Sequence, residues 1–173
     1  SVVVFPNCKI NLGLNILRKR EDGYHDLETV FLPVALKDVL EIVPSSNKTR
    51  INVTGIAAGN PDSNLCLKAY TLLKKDYPQL PEINIHLHKA IPVGAGLGGG
   101  SADAAFMLQL LNNTFNLSVP PDKLFVYASQ LGSDCAFFLL NRPCLATGRG
   151  EVLEPINTSF STYKILLVNP GVH

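Results

Sequence analysis

Five glycines, Gly94, Gly96, Gly98, Gly99 and Gly100, fall within seven positions of the stretch AIPVGAGLGGGSADAA. Each costs ~0.5–1 kcal/mol more backbone entropy on ordering than an alanine would. Such a run marks a place where bare main chain is needed, for a tight turn, a close helix contact or an anion. The segment ahead of it, INIHLHKA, reads as a strand, and SADAAFMLQLLNN behind it reads as a helix. A helix start offers unpaired amide N–H groups and ~0.5 of a positive charge. Glycines let an oxyanion approach those amides with no Cβ in the way, so strand, glycine loop and helix N-terminus together describe a phosphate site. A Walker A loop wants lysine after its second glycine, and counting from Gly94 that place holds Gly100. Gly94, Gly96 and Gly99 do satisfy GxGxxG. A dinucleotide fold, however, continues into a strand ending in an acidic residue ~20 positions on. Here a second helical segment, PPDKLFVYASQLG, follows with Asp122 at its start.

The other residues capable of chemistry are sparse. Cys8, Cys66, Cys135 and Cys144 show no CxxC pair and no metal spacing, and their apolar neighbours suggest buried, reduced thiols in a cytoplasmic protein. His86 and His88 alternate with Ile85 and Leu87, which places both on one solvated strand face. The 173 residues are 46% hydrophobic and 17% charged with a net charge of +1, so no basic field exists to recruit nucleic acid or a membrane surface. SVVVF breaks at Pro6, too short for a signal peptide, and no run reaches the ~20 apolar residues of a membrane span. The first residue is not methionine, which suggests that a residue or two is missing there.

The elements that position the loop follow from pattern. CKINLGLNIL alternates Ile10, Leu12, Leu14 and Ile16 against Lys9, Asn11, Gly13 and Asn15, a half-buried strand. An Asp22-Gly23 turn leads into HDLETVFLPV, and DVLEIVPS and RINVTG make two further strands. Gly55 to Pro61 reads as a loop, and Asp62 or Ser63 as the cap of a helix ending near Tyr77-Pro78. After the two helices that follow the glycines, CAFFL, PCLATG, EVLEPI and YKILLV read as short strands. The expected class is α+β: a mainly antiparallel sheet with helices on one side, and no internal linker.

The loop, written Pro92, Val93, Gly94, Ala95, Gly96, Leu97, Gly98, Gly99, Gly100, Ser101, Ala102, resembles the P-x-x-x-G-L-G-S/G-S-A signature of the GHMP kinase superfamily. Three further segments narrow the resemblance. They are Pro6 to Leu12 (PNCKINL), Arg20 to Thr29 (REDGYHDLET) and Leu131 to Phe137 (LGSDCAF). With the ATGRGEVLEPI tail they are similar to the superfamily branch that phosphorylates the 2-hydroxyl of a cytidine-diphosphate-linked methylerythritol in the non-mevalonate isoprenoid pathway. Cys8 departs from the branch's usual alanine.

The resemblance implies a ribosomal protein S5 domain 2-like fold, and ATP on the Pro92 to Ala102 segment with Mg²⁺ near Ser101. It implies catalytic roles for Lys9, stabilising the developing alkoxide, and for Asp134, as general base or orienting acceptor. Taken alone, Lys9 is equally a solvent-facing strand lysine and Asp134 a turn residue. Tyr24 is implied to stack on the cytosine of a small-molecule substrate, with Asn11 and His25 hydrogen-bonding its edge. Residues 1–173 are expected to form the N-terminal ATP-binding domain. A family member continues into a C-terminal domain across the cleft, so a chain ending at ILLVNPGVH is expected to bind ATP weakly and turn over little. The alternatives are another small-alcohol kinase or a mevalonate-diphosphate-type decarboxylase of the superfamily, which DGYH argues against, and an RNA-binding domain, which the near-neutral charge argues against.

Overall fold

A computed structural model describes residues 1–56 and 60–171 of the chain, so residues 57–59 of the expected Gly55 to Pro61 loop lie outside the described residues. The strands form two four-stranded sheets. The first has the order β1 (Val2–Val4), β4 (Val39–Pro44), β6 (Ile83–Lys89), β5 (Arg50–Gly55). The second has the order β2 (Asn7–Lys19), β3 (His25–Lys37), β7 (Cys144–Thr147), β8 (Val152–Pro155). All neighbours are antiparallel except β5 and β6. That parallel pair needs a crossover, which α1 (Leu65–Asp76) supplies. Three more helices follow: α2 (Gly99–Thr114), α3 (Pro121–Leu131) and α4 (Cys135–Leu140). The α+β class and the antiparallel character match the sequence reading, with the strands divided between two sheets rather than one.

Helix α2 is the shared wall of two cores. Its Ala104, Met107, Leu108 and Leu111 pack with Ile83, Ile85 and Leu87 of β6 and with Leu73 of α1. Its Ala102 and Ala105 pack with Phe31 of β3, Phe137 and Phe138 of α4, and Ala146 of β7. A helix buried on both flanks has little room for large side chains, which accounts for its alanines. The elements beside the glycine loop are therefore fixed on both sides.

Four local expectations are corrected. CAFFL is helical as α4, closed by Asn141 in the left-handed region at φ 51°; Cys135, Ala136, Phe137 and Phe138 are all buried, and a short apolar run has no period to tell strand from helix. YKILLV pairs with no strand, and its Tyr163, Leu166 and Val168 are exposed. The α1 cap is neither Asp62 nor Ser63 but Asn64, whose Oδ1 accepts from the Cys66 amide at 2.9 Å, because Pro61–Ser63 make a separate 3-10 turn. The alternation in β2 runs the other way as well. Lys9 is only 4% exposed, whereas Leu14 and Ile16 are 54% and 66% exposed. The outer half of the β2–β3 hairpin projects beyond the core, and a register shift at Leu12/Leu14, with Gly13 at φ 70°, changes the facing of the strand midway.

Candidate active site

The glycine loop meets α2 at Gly98, which adopts the left-handed conformation (φ 69°, ψ 21°) and leaves the helix start without a side-chain cap. A Cβ at Gly98 would lie 3.1 Å from two ring carbons of Phe138 and 3.3 Å from Lys9 Cε. One at Gly99 would lie 2.9 Å from Ile91 Cγ2 and 3.2 Å from Lys89 Nζ. Glycine is required at both places, and the missing carbons allow two lysines to come close. Above the loop lies a cavity of about 310 Å³, walled by Pro92 to Ser101, by the start of α1 at Ser63 to Leu65, and by Lys89 and Asp103. The amides that open α2 face a concave space suited to an anion.

Lys9 reaches this place because its amide donates to the Leu97 carbonyl at 2.9 Å, which ties β2 to the loop. Its ammonium lies 3.6 Å from Asp134 Oδ2, 2.6 Å from Asn11 Oδ1 and 4.7 Å from the centre of the Phe31 ring. Burial lowers the Lys9 pKa, and the Asp134 carboxylate opposes that shift. Asp134 stands just before α4, makes no capping hydrogen bond there, and has a side chain 30% exposed. An ammonium and a partly solvated carboxylate thus converge beside the glycine loop, a geometry able to bind a hydroxyl and accept its proton.

The residues expected around a base are not all together. Asn11 donates from its amide N–H₂ to Thr29 Oγ1 at 3.1 Å, accepts from Lys9 at its oxygen, and bonds to neither Tyr24 nor His25. Tyr24 lies in the hairpin turn, 56% exposed, and His25 starts β3 opposite Lys19, eight residues along β2 from Asn11. A third group at this end was missed from sequence. The Arg149 guanidinium lies 4.4 Å from the Tyr24 ring centre, in cation–π contact.

Sequence reading also missed a buried ionic cluster under the loop. Lys89 Nζ bonds to Asp38 Oδ2 and, at 2.7 Å, to Asp103 Oδ2, and all three residues are at most 3% exposed. Asp38 Oδ1 accepts the amides of Ala90 and Ile91 at 2.6 and 2.9 Å, fixing the entry to the loop. Among the described residues Asp103 Oδ1 has no hydrogen-bond partner. Burial pushes the Asp103 carboxyl up to about 8 against the pull of Lys89. Burial also works against the Lys89 ammonium, but Asp103 and Asp38 outweigh it and its pKa is raised. The signal was present in sequence: Lys89 continues the buried row Ile83, Ile85, Leu87.

Ser101 sits in the first turn of α2 on the cavity wall, with its hydroxyl against Cys135, whose thiol burial pushes up to about 11 while Ser101 lowers it. All four cysteines are buried and unpaired, and His86 and His88 are on an exposed face where His88 Nδ1 meets Thr54 Oγ1 at 2.9 Å. Among the described residues no group of three or more His, Cys, Asp or Glu is assembled for a metal, and no helix is long and apolar enough to cross a membrane.

Residues 64–142 match the family described as GHMP kinases N terminal domain. With the two-sheet fold and the glycine loop, this establishes that the chain carries the N-terminal domain of the GHMP kinases. Within that family it is 53% identical, over 99% of its length, to 4-diphosphocytidyl-2-C-methyl-D-erythritol kinase of Bacteroides fragilis. It is 54% identical to the kinase of the same name from Bacteroides thetaiotaomicron. The chain spans 64% of the length of each of these curated relatives. A crystal structure of 4-(cytidine 5'-diphospho)-2C-methyl-D-erythritol kinase matches with a TM-score of 0.77 at 39% identity, covering 90% of this chain and 55% of that one. A mevalonate kinase structure, with a TM-score of 0.71 at 13% identity, shares the fold alone.

Proposed function

We propose that this chain is the ATP-binding domain, over residues 1–173, of a kinase that phosphorylates the 2-hydroxyl of 4-diphosphocytidyl-2-C-methyl-D-erythritol. The observation that carries the reading is the convergence of Lys9, Asp134 and the uncapped start of α2. The glycine-loop amides would bind the triphosphate. Asp134 would orient the acceptor hydroxyl and take its proton as its oxygen bonds to the γ-phosphorus, and the bond to the ADP oxygen would break. Lys9 would stabilise the charge that develops between them. Mg²⁺ fits a site with few protein oxygens, since it keeps several waters; it would neutralise the phosphates, with the Ser101 hydroxyl at the start of α2 as a protein ligand. Tyr24 offers an exposed aromatic face to the cytosine, with His25 beside it in sequence. The charge, composition and absence of a membrane-crossing helix among the described residues are consistent with a small-molecule enzyme of the cytoplasm.

The test is Asp134→Asn in the full-length protein, assayed with ATP and the cytidine substrate. We expect kcat to fall by at least ~10²-fold with ATP binding nearly unchanged, as for a group acting on the transferred proton. A near-normal kcat removes Asp134 from the chemistry.

A further inference from the structure

We propose that Thr29 is a positioning residue of the transfer centre, acting through Asn11 to hold the Lys9 ammonium in place. This rests on the catalytic reading of Lys9 above. Thr29 lies on β3, 3% exposed, one position from the base of the hairpin's bulged section. The bulge turns the Gly13 carbonyl toward Thr29, and Thr29 Oγ1 donates to it. A hydroxyl has one hydrogen, so this bond leaves Oγ1 only lone pairs for any other neighbour. The neighbour is Asn11, which must therefore present its amide N–H₂ to Thr29, at 3.1 Å, and its oxygen to the other side. On that side, 2.6 Å away, is Lys9 Nζ. The polarity of the whole chain, Gly13 to Thr29 to Asn11 to Lys9, is thus set alike at both ends, by a carbonyl that can only accept and an ammonium that can only donate. The Asn11 contact is shorter than the 3.6 Å separation from Asp134, so the amide oxygen rather than the carboxylate anchors the ammonium. Without the hydroxyl, the Asn11 N–H₂ loses its acceptor and the amide is held only at its oxygen end, which frees that oxygen to swing away from the ammonium.

The consequence is specific. An Asn11 oxygen that swings away no longer favours the ammonium and releases it from its place, lowering the pH at which Lys9 loses its proton. The titratable groups that face Lys9 are Asp134, ahead of α4, and Cys8, next to it on β2; neither is altered by a change at Thr29. Steady-state kinetics across pH in the full-length protein test the proposal with Thr29→Val, Thr29→Ser, Asn11→Ala and Lys9→Met. Thr29→Val should lower kcat at least ~10-fold, leave the KM for ATP within ~2-fold, and move the alkaline fall of kcat to lower pH. Thr29→Ser keeps the hydroxyl and should restore both. Asn11→Ala leaves the bond from Thr29 to Gly13 intact and should reproduce the loss and the shifted limb even if the valine variant folds poorly. Normal kcat and an unmoved limb in Thr29→Val, or in Asn11→Ala where the valine variant does not fold, overturn the proposal. A Lys9→Met variant with normal turnover overturns the catalytic reading beneath it instead.

Discussion

Three glycine-to-alanine substitutions in one loop should give three different stabilities, because the structure places each glycine differently. At Gly98 the backbone is left-handed at φ 69°, and the new Cβ would meet Phe138 at 3.1 Å and Lys9 Cε at 3.3 Å. Phe138 cannot retreat easily, since it is 1% exposed and stands edge-on to Phe137 with ring centres 5.1 Å apart. The left-handed conformation costs an alanine ~1–2 kcal/mol, and forcing a methyl into a filled core costs ~1–3 kcal/mol more. Gly98→Ala should therefore destabilise by roughly 2–5 kcal/mol, or roughly 4–20 °C in Tm for a chain of this size. Gly96 has the same backbone problem at φ 75° but nothing within 4 Å, so Gly96→Ala should lose only the conformational ~1–2 kcal/mol. Gly100 lies in the helix with 3.8 Å to its nearest neighbour, Leu65 Cδ1, so Gly100→Ala should gain ~0.5–1 kcal/mol. The unfolded chain loses the same freedom in all three variants, so it cancels from the differences. Urea and thermal unfolding of the purified variants give the order directly. If Gly98→Ala loses no more than Gly96→Ala, the packing of the loop against Phe138 and Lys9 is misdescribed.

The Tyr24 and Arg149 contact should matter for the substrate and not for ATP. Tyr24→Ala should raise the KM for the cytidine substrate by the ~1–3 kcal/mol of a stacked base, ~5-fold or more, and Arg149→Ala by a few-fold, as for an exposed cation–π pair worth ~0.5–1 kcal/mol; an equal rise in the KM for ATP would refute both. Lys89→Met leaves Asp38 and Asp103 facing each other without their cation and should destabilise by ~3–5 kcal/mol near neutral pH. The sign of its pH dependence is fixed. Asp103 already holds its proton up to about 8 in the native protein. Removing the cation raises the folded-state pKa of Asp103 further, so parent and variant lose stability together as pH rises to about 8 and the extra penalty grows above it. The gap in urea midpoint between Lys89→Met and the parent should hold steady from about pH 5 to about pH 7 and widen as pH rises above about 8, and a gap that stays constant through that alkaline range would show that the cluster does not carry this charge balance.

Much of the fold was legible because its strands and helices announce themselves by period. β6 shows strict alternation and α2 an alanine-rich amphipathic run, and both fall within a residue or two of expectation. The failures share a cause. CAFFL is apolar on every side, so no period distinguishes strand from helix; what decides is that both of its flanks are covered, by α2 and by β3, which is tertiary information. The β2 alternation was real, but a strand's pattern states which residues share a face and not which face is covered. Here the covering ends partway along, near the Gly13 bulge, and the apolar row runs out into a hairpin exposed on both faces.

The glycine loop was legible as an anion site from the main-chain chemistry of its residues alone, whereas Lys9 and Asp134 were indistinguishable from surface residues until segments were matched to a family. The structure supplies the missing physical reason. Two lysines, Lys9 from one sheet and Lys89 from the other, reach the same helix start through the gaps left by Gly98 and Gly99. Each faces an acid from another part of the chain, Asp134 for Lys9 and the Asp38 and Asp103 pair for Lys89. A buried cation next to a helix N-terminus is opposed by the dipole as well as by desolvation, so each needs its acid. The glycines thus serve the cations as much as the anion. The two ammoniums differ in consequence: Lys89, enclosed between Asp38 and Asp103, is a fixed strut beneath the loop, while Lys9, anchored by Asn11 and facing a partly solvated carboxylate 3.6 Å away, is placed to serve a reacting oxygen.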